Sequence, residues 1–454
     1  MFEIVLFLGC IVIPIAIAAV VIRTGTVFFG LSLLNIFMIA SAALPVFFFG
    51  KLLGAMPDTF TSDHLYVVAY TEAGLLAMVL GMFLAWRPFA QRRELLGTAA
   101  DPLAAPHLTH QLGLSTFYVG IVADLLESAF SGMPTISTAV HALAALARLG
   151  LFILLIDAFR SRRWSTFLMA LAVFYGASVV ASFASGHNFL RIDTLIPLLA
   201  IAMSFLGFTV RTVGISVATM PVLPMLVGAW LQTRIVIRSG SLSTLPLGEQ
   251  ISRFFGEFVT NLGIPDASVF MGLLQLRVDM TDLLAAQVRY QPLSEPYAWG
   301  ETFVTSFYTL IPRALWPEKP VVAGGSQFVE RFTGIVRPAD DVTSIGLPYP
   351  FELYANGGPL LAVIGLGVIA YICARMEMKL FQRPSSIGYF WALGLSTIVL
   401  CEGGQRTDVV LPALVASALT AYALGWTFER FGWTALPPTR ELQQLRARRN
   451  AGRI

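Results

Sequence analysis

Several cations stand in stretches of this chain that are otherwise apolar or stiffened by proline. Arg313 and Lys319 lie in IPRALWPEKP, with prolines at 312, 317 and 320 and an aromatic ring at Trp316. Arg277 interrupts the apolar run DASVFMGLLQLRVDMTDLLAAQV, Arg406 sits in EGGQRTD, and Arg191 in SGHNFLRID. The region around Arg277 and Arg313 adds Arg234, Arg238, Arg253, Arg289, Arg331 and Arg337. An unpaired cation in apolar surroundings is costly. The planar guanidinium fork matches phosphate oxygens, and several forks together suit a pyrophosphate. Asp279, Glu301, Asp340, Asp341, Glu352 and Asp408 are available as counter-charges. An anion site and a set of structural ion pairs are therefore both open, beside ordinary solvated loop charge. Tyr297, Trp299, Phe307, Tyr308, Trp316, Tyr349 and Tyr354 accompany the cations. Such rings suit sugar faces, and they suit an interfacial aromatic belt equally well. The three prolines fix φ and restrict the residues before them, so the segment is a rigid mount for Arg313 and Lys319.

The elements that must position these groups are membrane helices. Only 13% of the 454 residues are charged while 56% are hydrophobic, against roughly 25% charged in soluble domains. Stretches of about 20 apolar residues recur. They predict about eleven spans, approximately 2–22, 26–50, 65–86, 113–130, 140–158, 164–183, 194–210, 213–231, 355–374, 386–402 and 409–427. The first is read as a retained span, since it lacks a basic leader region and a small-residue cleavage site. Basic residues flank alternate loops: Arg87, Arg92 and Arg93, then Arg160, Arg162 and Arg163, then Arg211, then Arg375, Lys379 and Arg383, then the tail from Arg430. The positive-inside rule puts these in the cytoplasm and the cation-bearing loops on the outer face. The expected fold is an all-α polytopic membrane protein. It divides into an N-terminal bundle (1–231), a large, partly helical outer loop with interfacial helices (232–354), C-terminal spans (355–427) and a basic tail (428–454).

Other chemistries find no support in the sequence. GxxxxGK[ST], HExxH and GxSxG are absent, and Cys10, Cys373 and Cys401 show no metal or disulfide spacing. GLGVIA (365–370) imitates a dinucleotide fingerprint but lies inside a span, where close helix packing accounts for it. Asp124 and Glu127, one turn apart in the fourth span, are either a functional acidic pair or the mark of a misplaced span end. A cationic outer site on a lipid-embedded bundle suits a substrate that is half lipid and half phosphate, such as a polyprenyl-pyrophosphate-linked glycan.

GETFVTSFYTLIPRALWPEKP, followed by TSIGLPYPFELYANGG leading straight into a span, resembles the Wzy-type O-antigen and oligosaccharide repeat-unit polymerases. The likeness is close over residues 300–358 and loose over the whole topology. It implies a GT-C-like fold related to the O-antigen ligases. It implies polymerisation of undecaprenyl-pyrophosphate-linked repeat units at the periplasmic face of the bacterial inner membrane, with periplasmic arginines on the pyrophosphates. No metal, nucleotide sugar or other cofactor is implied, and no nucleic acid. The partners implied are the lipid-linked glycans, the bilayer, and a flippase and chain-length regulator of the same pathway. Arg313 and Lys319 match the family's Pro-Arg and Lys-Pro segment, Arg277 an upstream arginine, and Ser344, Glu352 and Tyr354 the downstream block. Arg191 and Arg406 occupy outer loops where such enzymes hold a cation, and Arg337 and Trp316 join them as expected substrate contacts. The related ligases rely on a loop histidine; this large loop has none, and His187 is the nearest outer-face candidate. Glu352 is then the first candidate for the general base, with Arg313 and Arg277 as its catalytic partners, and a salt bridge to a loop arginine as its alternative role. A ligase that transfers finished glycan, and a transporter or flippase of lipid-linked sugar, are the competing readings. The latter would place its polar site near the bilayer midplane.

The topology makes a direct prediction. Ser326→Cys, in a chain otherwise free of cysteine, reacts with an impermeant thiol reagent on intact spheroplasts; labelling only after lysis would invert the orientation.

Overall fold

The computed structural model describes residues 61–96, 107–130, 134–185, 246–262, 281–311, 325–336, 347–382, 384–401 and 407–432, with a few isolated positions besides. Every regular element among them is helical. In chain order these are α1 (Ser62–Leu96), α2 (His110–Glu127), α3 (Pro134–Ala144), α4 (Leu146–Ser161), α5 (Trp164–Ser185) and α6 (Leu247–Thr260). Then come α7 (Thr281–Tyr290), α8 (Glu301–Thr309), α9 (Gly325–Thr333), α10 (Tyr349–Leu380), α11 (Ile387–Cys401) and α12 (Thr407–Arg430). Four stretches are long and apolar enough to cross a membrane: Ser62–Pro88, Ala139–Ser161, Tyr349–Leu380 and Thr407–Arg430. They coincide with the spans expected at 65–86, 140–158, 355–374 and 409–427. The spans expected at 164–183 and 386–402 fall on α5 and α11, whose described apolar stretches are shorter. The one expected at 113–130 falls on α2, which is not among the four. The spans expected at 2–22, 26–50, 194–210 and 213–231 lie, isolated positions apart, outside the described residues.

The chain divides into two compact units. The first comprises Met1–Leu95, Leu274–Met378 and Ser396–Val415, and the second Leu96–Leu273, Lys379–Leu395 and Ala416–Ile454. In the first unit α1 packs on α10 through small residues. A Cβ on Gly81 would collide with the carbonyl of Gly367, and one on Gly367 would press on Ala77 at 3.1 Å. Small residues let backbones approach closely where lipid gives helices no hydrophobic reason to associate. This is the packing expected of GLGVIA. On α10, Ala362, Leu366, Ala370 and Cys373 are buried while Leu360, Ile364 and Val368 are exposed. That exposed apolar stripe, one residue per turn, is what a lipid-facing helix presents.

The second unit repeats the device between α2 and α4, where Gly120 meets the backbone of Ala147 and Gly150 meets Phe117. Arg160, near the end of α4, donates to the carbonyls of Leu108 and Ala105, each at 2.7 Å. Asp124 is buried in α2, whereas Glu127 closes that helix and bonds Nδ1 of His141 at 2.9 Å. The two acidic residues therefore have different surroundings, and Glu127 marks a helix end. Helix α6 buries Phe254 and leaves Phe255 and Val259 exposed.

Packing this close is intolerant of added volume. Gly81→Val lowers the thermal midpoint in detergent, at a cost of about 1–3 kcal/mol for overpacking. Gly176→Ala on α5, where a Cβ meets nothing within 4 Å, leaves the midpoint unchanged or raises it, since Ala is favoured over Gly in a helix by about 1 kcal/mol. Equal midpoints for Gly81→Val and wild type would refute the close crossing.

Candidate functional site

Helix α10 opens YPFELYANGGP, and its last three residues break it. Gly357 (φ −167°, ψ 26°) and Gly358 (φ 68°, ψ −161°) are non-helical, and Pro359 follows. Proline has no N–H, so it cannot donate to the carbonyl four residues back, that of Ala355. Ala355 O instead accepts from the backbone N–H of Ala298 at 2.9 Å and from Nε2 of Gln291 at 3.4 Å. Asn356 O accepts from the N–H of Trp299 at 3.0 Å. The side chain of Asn356, fully buried, completes the clasp. Its Oδ1 accepts from the N–H of Gly300 at 2.8 Å, and its Nδ2 donates to Thr302 Oγ1 at 2.6 Å and Glu352 O at 2.8 Å. Gln287 on α7 adds a bond from Nε2 to Phe351 O at 3.0 Å. The break thus captures the segment between α7 and α8 and fixes the start of α8.

At the centre lies Glu352, 2% exposed. Its Oε1 accepts from Thr302 Oγ1 at 3.0 Å and its Oε2 from the N–H of Thr407 at 2.7 Å. Both donors are neutral, and no described lysine or arginine forms an ion pair with it. The first residue of α12 therefore meets the first turn of α10. Tyr349 Oη donates to Leu400 O at 3.2 Å and brings the end of α11 to the same place. The other end of the cluster is aromatic: Tyr354 packs on Tyr70 (ring centroids 5.3 Å apart) and on Tyr297 (6.1 Å).

The N-terminus of α1 joins this end through charge. Thr61 N–H donates to Nδ1 of His64 at 3.1 Å, the reach-back half of a capping box with His in place of Glu. That leaves the ring proton on Nε2, which donates to Asp282 Oδ1 at 2.8 Å. The bond to His64 holds the Asp282 carboxyl below its ordinary range. Asp63 pairs with Arg289 at 2.9 Å. Arg331 bridges Glu295 (2.8 Å) and Glu301 (2.9 Å), closing the segment 295–301 at both ends. Its bidentate hold on Glu301 lowers that carboxyl, and the two glutamates raise the guanidinium.

Of the residues singled out in the sequence, Glu352 is placed in this cluster. Tyr354 is buried (2% exposed), so its ring packs in the core and offers a sugar no open face. Trp316 lies edge-on to Tyr308, ring centroids 5.6 Å apart. Arg191, Arg277, Arg313, Lys319, Arg337, Ser344 and Arg406 lie outside the described residues, as does His187. Two further cations of the segment 232–354, Arg289 and Arg331, stand in ion pairs, the structural alternative for these groups. Asp282, although it stands in the apolar run DASVFMGLLQLRVDMTDLLAAQV, has a side chain 69% exposed. Sequence reasoning passed over Thr302, Asn356, Gln287 and His64. Asn356 was legible, since it stands beside three helix breakers in ANGGP; Thr302 and His64 carried no local signal. Among the described residues no group of three or more His, Cys, Asp or Glu is gathered as for a metal.

A family described as a domain of unknown function, DUF8712, matches residues 59–344, more than half of the chain. The match takes in the arginine-bearing loop and stops short of Glu352. No curated protein matches the chain, and no solved structure does.

Gly358 tests the clasp. Its φ and ψ belong to a region open in practice only to glycine, and a Cβ there would stand 2.8 Å from Tyr297 Oη. Gly358→Ala costs about 1–3 kcal/mol from backbone strain alone. It increases hydrogen exchange at the amides of Ala298, Trp299 and Gly300. Wild-type exchange at those amides would refute the assigned role of the break.

Proposed function

The chain belongs to the DUF8712 family, and we propose that it polymerises polyprenyl-pyrophosphate-linked oligosaccharide repeat units at the outer surface of a bacterial inner membrane. One observation carries this reading. The block that resembles the repeat-unit polymerases, residues 300–358, has at its described core a buried carboxylate, Glu352, whose described partners are all neutral. A structural salt bridge would satisfy the charge outright. A carboxylate held only by hydroxyl and amide donors keeps lone pairs for a further donor.

In the proposed reaction an acceptor hydroxyl attacks the anomeric carbon of the lipid-linked donor. The new C–O glycosidic bond forms as the bond to the pyrophosphate oxygen breaks. The polyprenyl pyrophosphate departs with the bonding electrons, and the hydroxyl proton passes to Glu352. Thr302, bonded to both Glu352 and Asn356, keeps the carboxylate in register. Arg277, Arg313 and Lys319, with Arg191, Arg337 and Arg406, are proposed to neutralise the leaving pyrophosphate, which lowers the barrier where charge develops. Ser344 and Trp316 are proposed substrate contacts in the same loop.

Deleting the gene tests the activity. Surface glycan that stops at one repeat unit identifies a polymerase. Complete but unattached polymer would identify a ligase, and repeat units stranded on the cytoplasmic face a flippase. With purified protein and lipid-linked repeat units, Glu352→Gln binds donor as wild type does and loses turnover by about 10²–10⁴-fold, the range for a lost general base. Donor binding and folding that fail together with turnover would reduce Glu352 to a structural partner. Activity that EDTA abolishes and a divalent ion restores would overturn the metal-free mechanism.

A further inference from the structure

Trp299 is held in a conformation that its side chain disfavours and its surroundings impose. Its φ is 46° and that of Gly300 is 93°, two successive left-handed residues. A bulky residue with positive φ is an outlier, and such strain persists only where neighbouring bonds over-determine the backbone. Here they do: the N–H groups of Ala298, Trp299 and Gly300 all bond to the broken start of α10. Yet the indole gains little by packing, because Trp299 is 80% exposed. Tyr297, two residues earlier, meets it edge-on with ring centroids 6.1 Å apart. A core residue would be buried, and a plain turn would place Asn or Gly here.

We propose that Trp299 is a carbohydrate-stacking platform that receives the non-reducing sugar of the acceptor glycan, beside Glu352; this rests on the polymerase reading. One observation favours sugar over lipid. The segment carrying the indole is closed at both ends by Arg331 on Glu295 and Glu301. These side chains are partly exposed, and exposed ionic groups belong in water, since hydrocarbon does not tolerate them. By that argument the exposed ring on the same segment belongs on the aqueous side. The same charges choose between the two substrates. Among the described residues, two glutamates against one arginine leave this segment net negative, which disfavours a pyrophosphate directly upon it. The donor sugar is attached to the pyrophosphate, whereas the far end of the acceptor is not. The broken helix then joins binding to chemistry: Asn356 holds Trp299 and Gly300 through its Oδ1 and carbonyl, and Thr302 through its Nδ2.

The test uses the full chain in lipid nanodiscs, labelled with 5-fluorotryptophan, the Trp299 resonance being the one missing from Trp299→Phe. The probe is lipid-free repeat-unit oligosaccharide from the host's own surface polysaccharide. A saturable shift of that resonance supports the platform. No shift with oligosaccharide, or broadening by spin-labelled lipid in its place, assigns Trp299 to an interfacial belt and overturns it. Kinetics add a second readout. Trp299→Asn raises the half-saturating acceptor concentration about tenfold, the loss of one aromatic contact, while Trp299→Phe stays within about threefold. Because Asn tolerates positive φ and the indole is exposed, the thermal midpoint of Trp299→Asn matches or exceeds wild type. A lowered midpoint would assign the ring to packing and overturn the proposal. Wild type that polymerises while Trp299→Asn matches it kinetically sinks the platform and keeps the polymerase. A saturable shift in a protein that makes no polymer keeps the platform and sinks the polymerase.

Discussion

One missing hydrogen bond organises the first unit. Pro359 cannot donate to Ala355 O, and the two glycines before it leave the helical region. The first turns of α10 therefore end in unsatisfied carbonyls. Buried carbonyls must find donors, and here they find them in the segment after α7. From that follow the left-handed pair at Trp299 and Gly300, the start of α8, and the reach of Thr302 to Glu352. A straight α10 would satisfy its own carbonyls and leave residues 298–300 without their bonds to it.

Electrostatics at this end of the unit falls into two kinds. Arg289 with Asp63, and Arg331 with Glu295 and Glu301, are partly exposed pairs, close to a class worth about 0–1 kcal/mol each. They orient loops more than they stabilise them. Glu352 is the opposite case, a buried carboxylate whose described donors are a hydroxyl and an amide. Burying a carboxylate is costly unless donors meet it, and the described ones come from α8 and the first residue of α12.

The same packing rule serves both units. Gly81 and Gly367 in the first, and Gly120 and Gly150 in the second, bring helix backbones together where a methyl group would not fit. In a chain this apolar, van der Waals contact at small residues does the work that hydrophobic segregation does in water. It also holds α1 against α10, and so holds His64 and Tyr70 close to Asp282 and Tyr354.

Local rules read much of this from the sequence. Apolar length located the stretches that became α1, the α3–α4 pair, α10 and α12, because crossing a bilayer is a matter of consecutive residues. GLGVIA could be assigned to close packing because its context was a span. Glu352 stood out as a carboxylate at the start of a span, and ANGGP carried its own break. Partnership was beyond such rules. Glu352 takes its bonds from residues 50 and 55 positions away, and His64 meets Asp282 across 218. Tyr354 looked like an open ring and is buried, while Trp299 looked like one aromatic among several and is the strained, exposed one. Burial, strain and pairing belong to surfaces brought together from distant segments, and only the tertiary structure decides which surfaces meet.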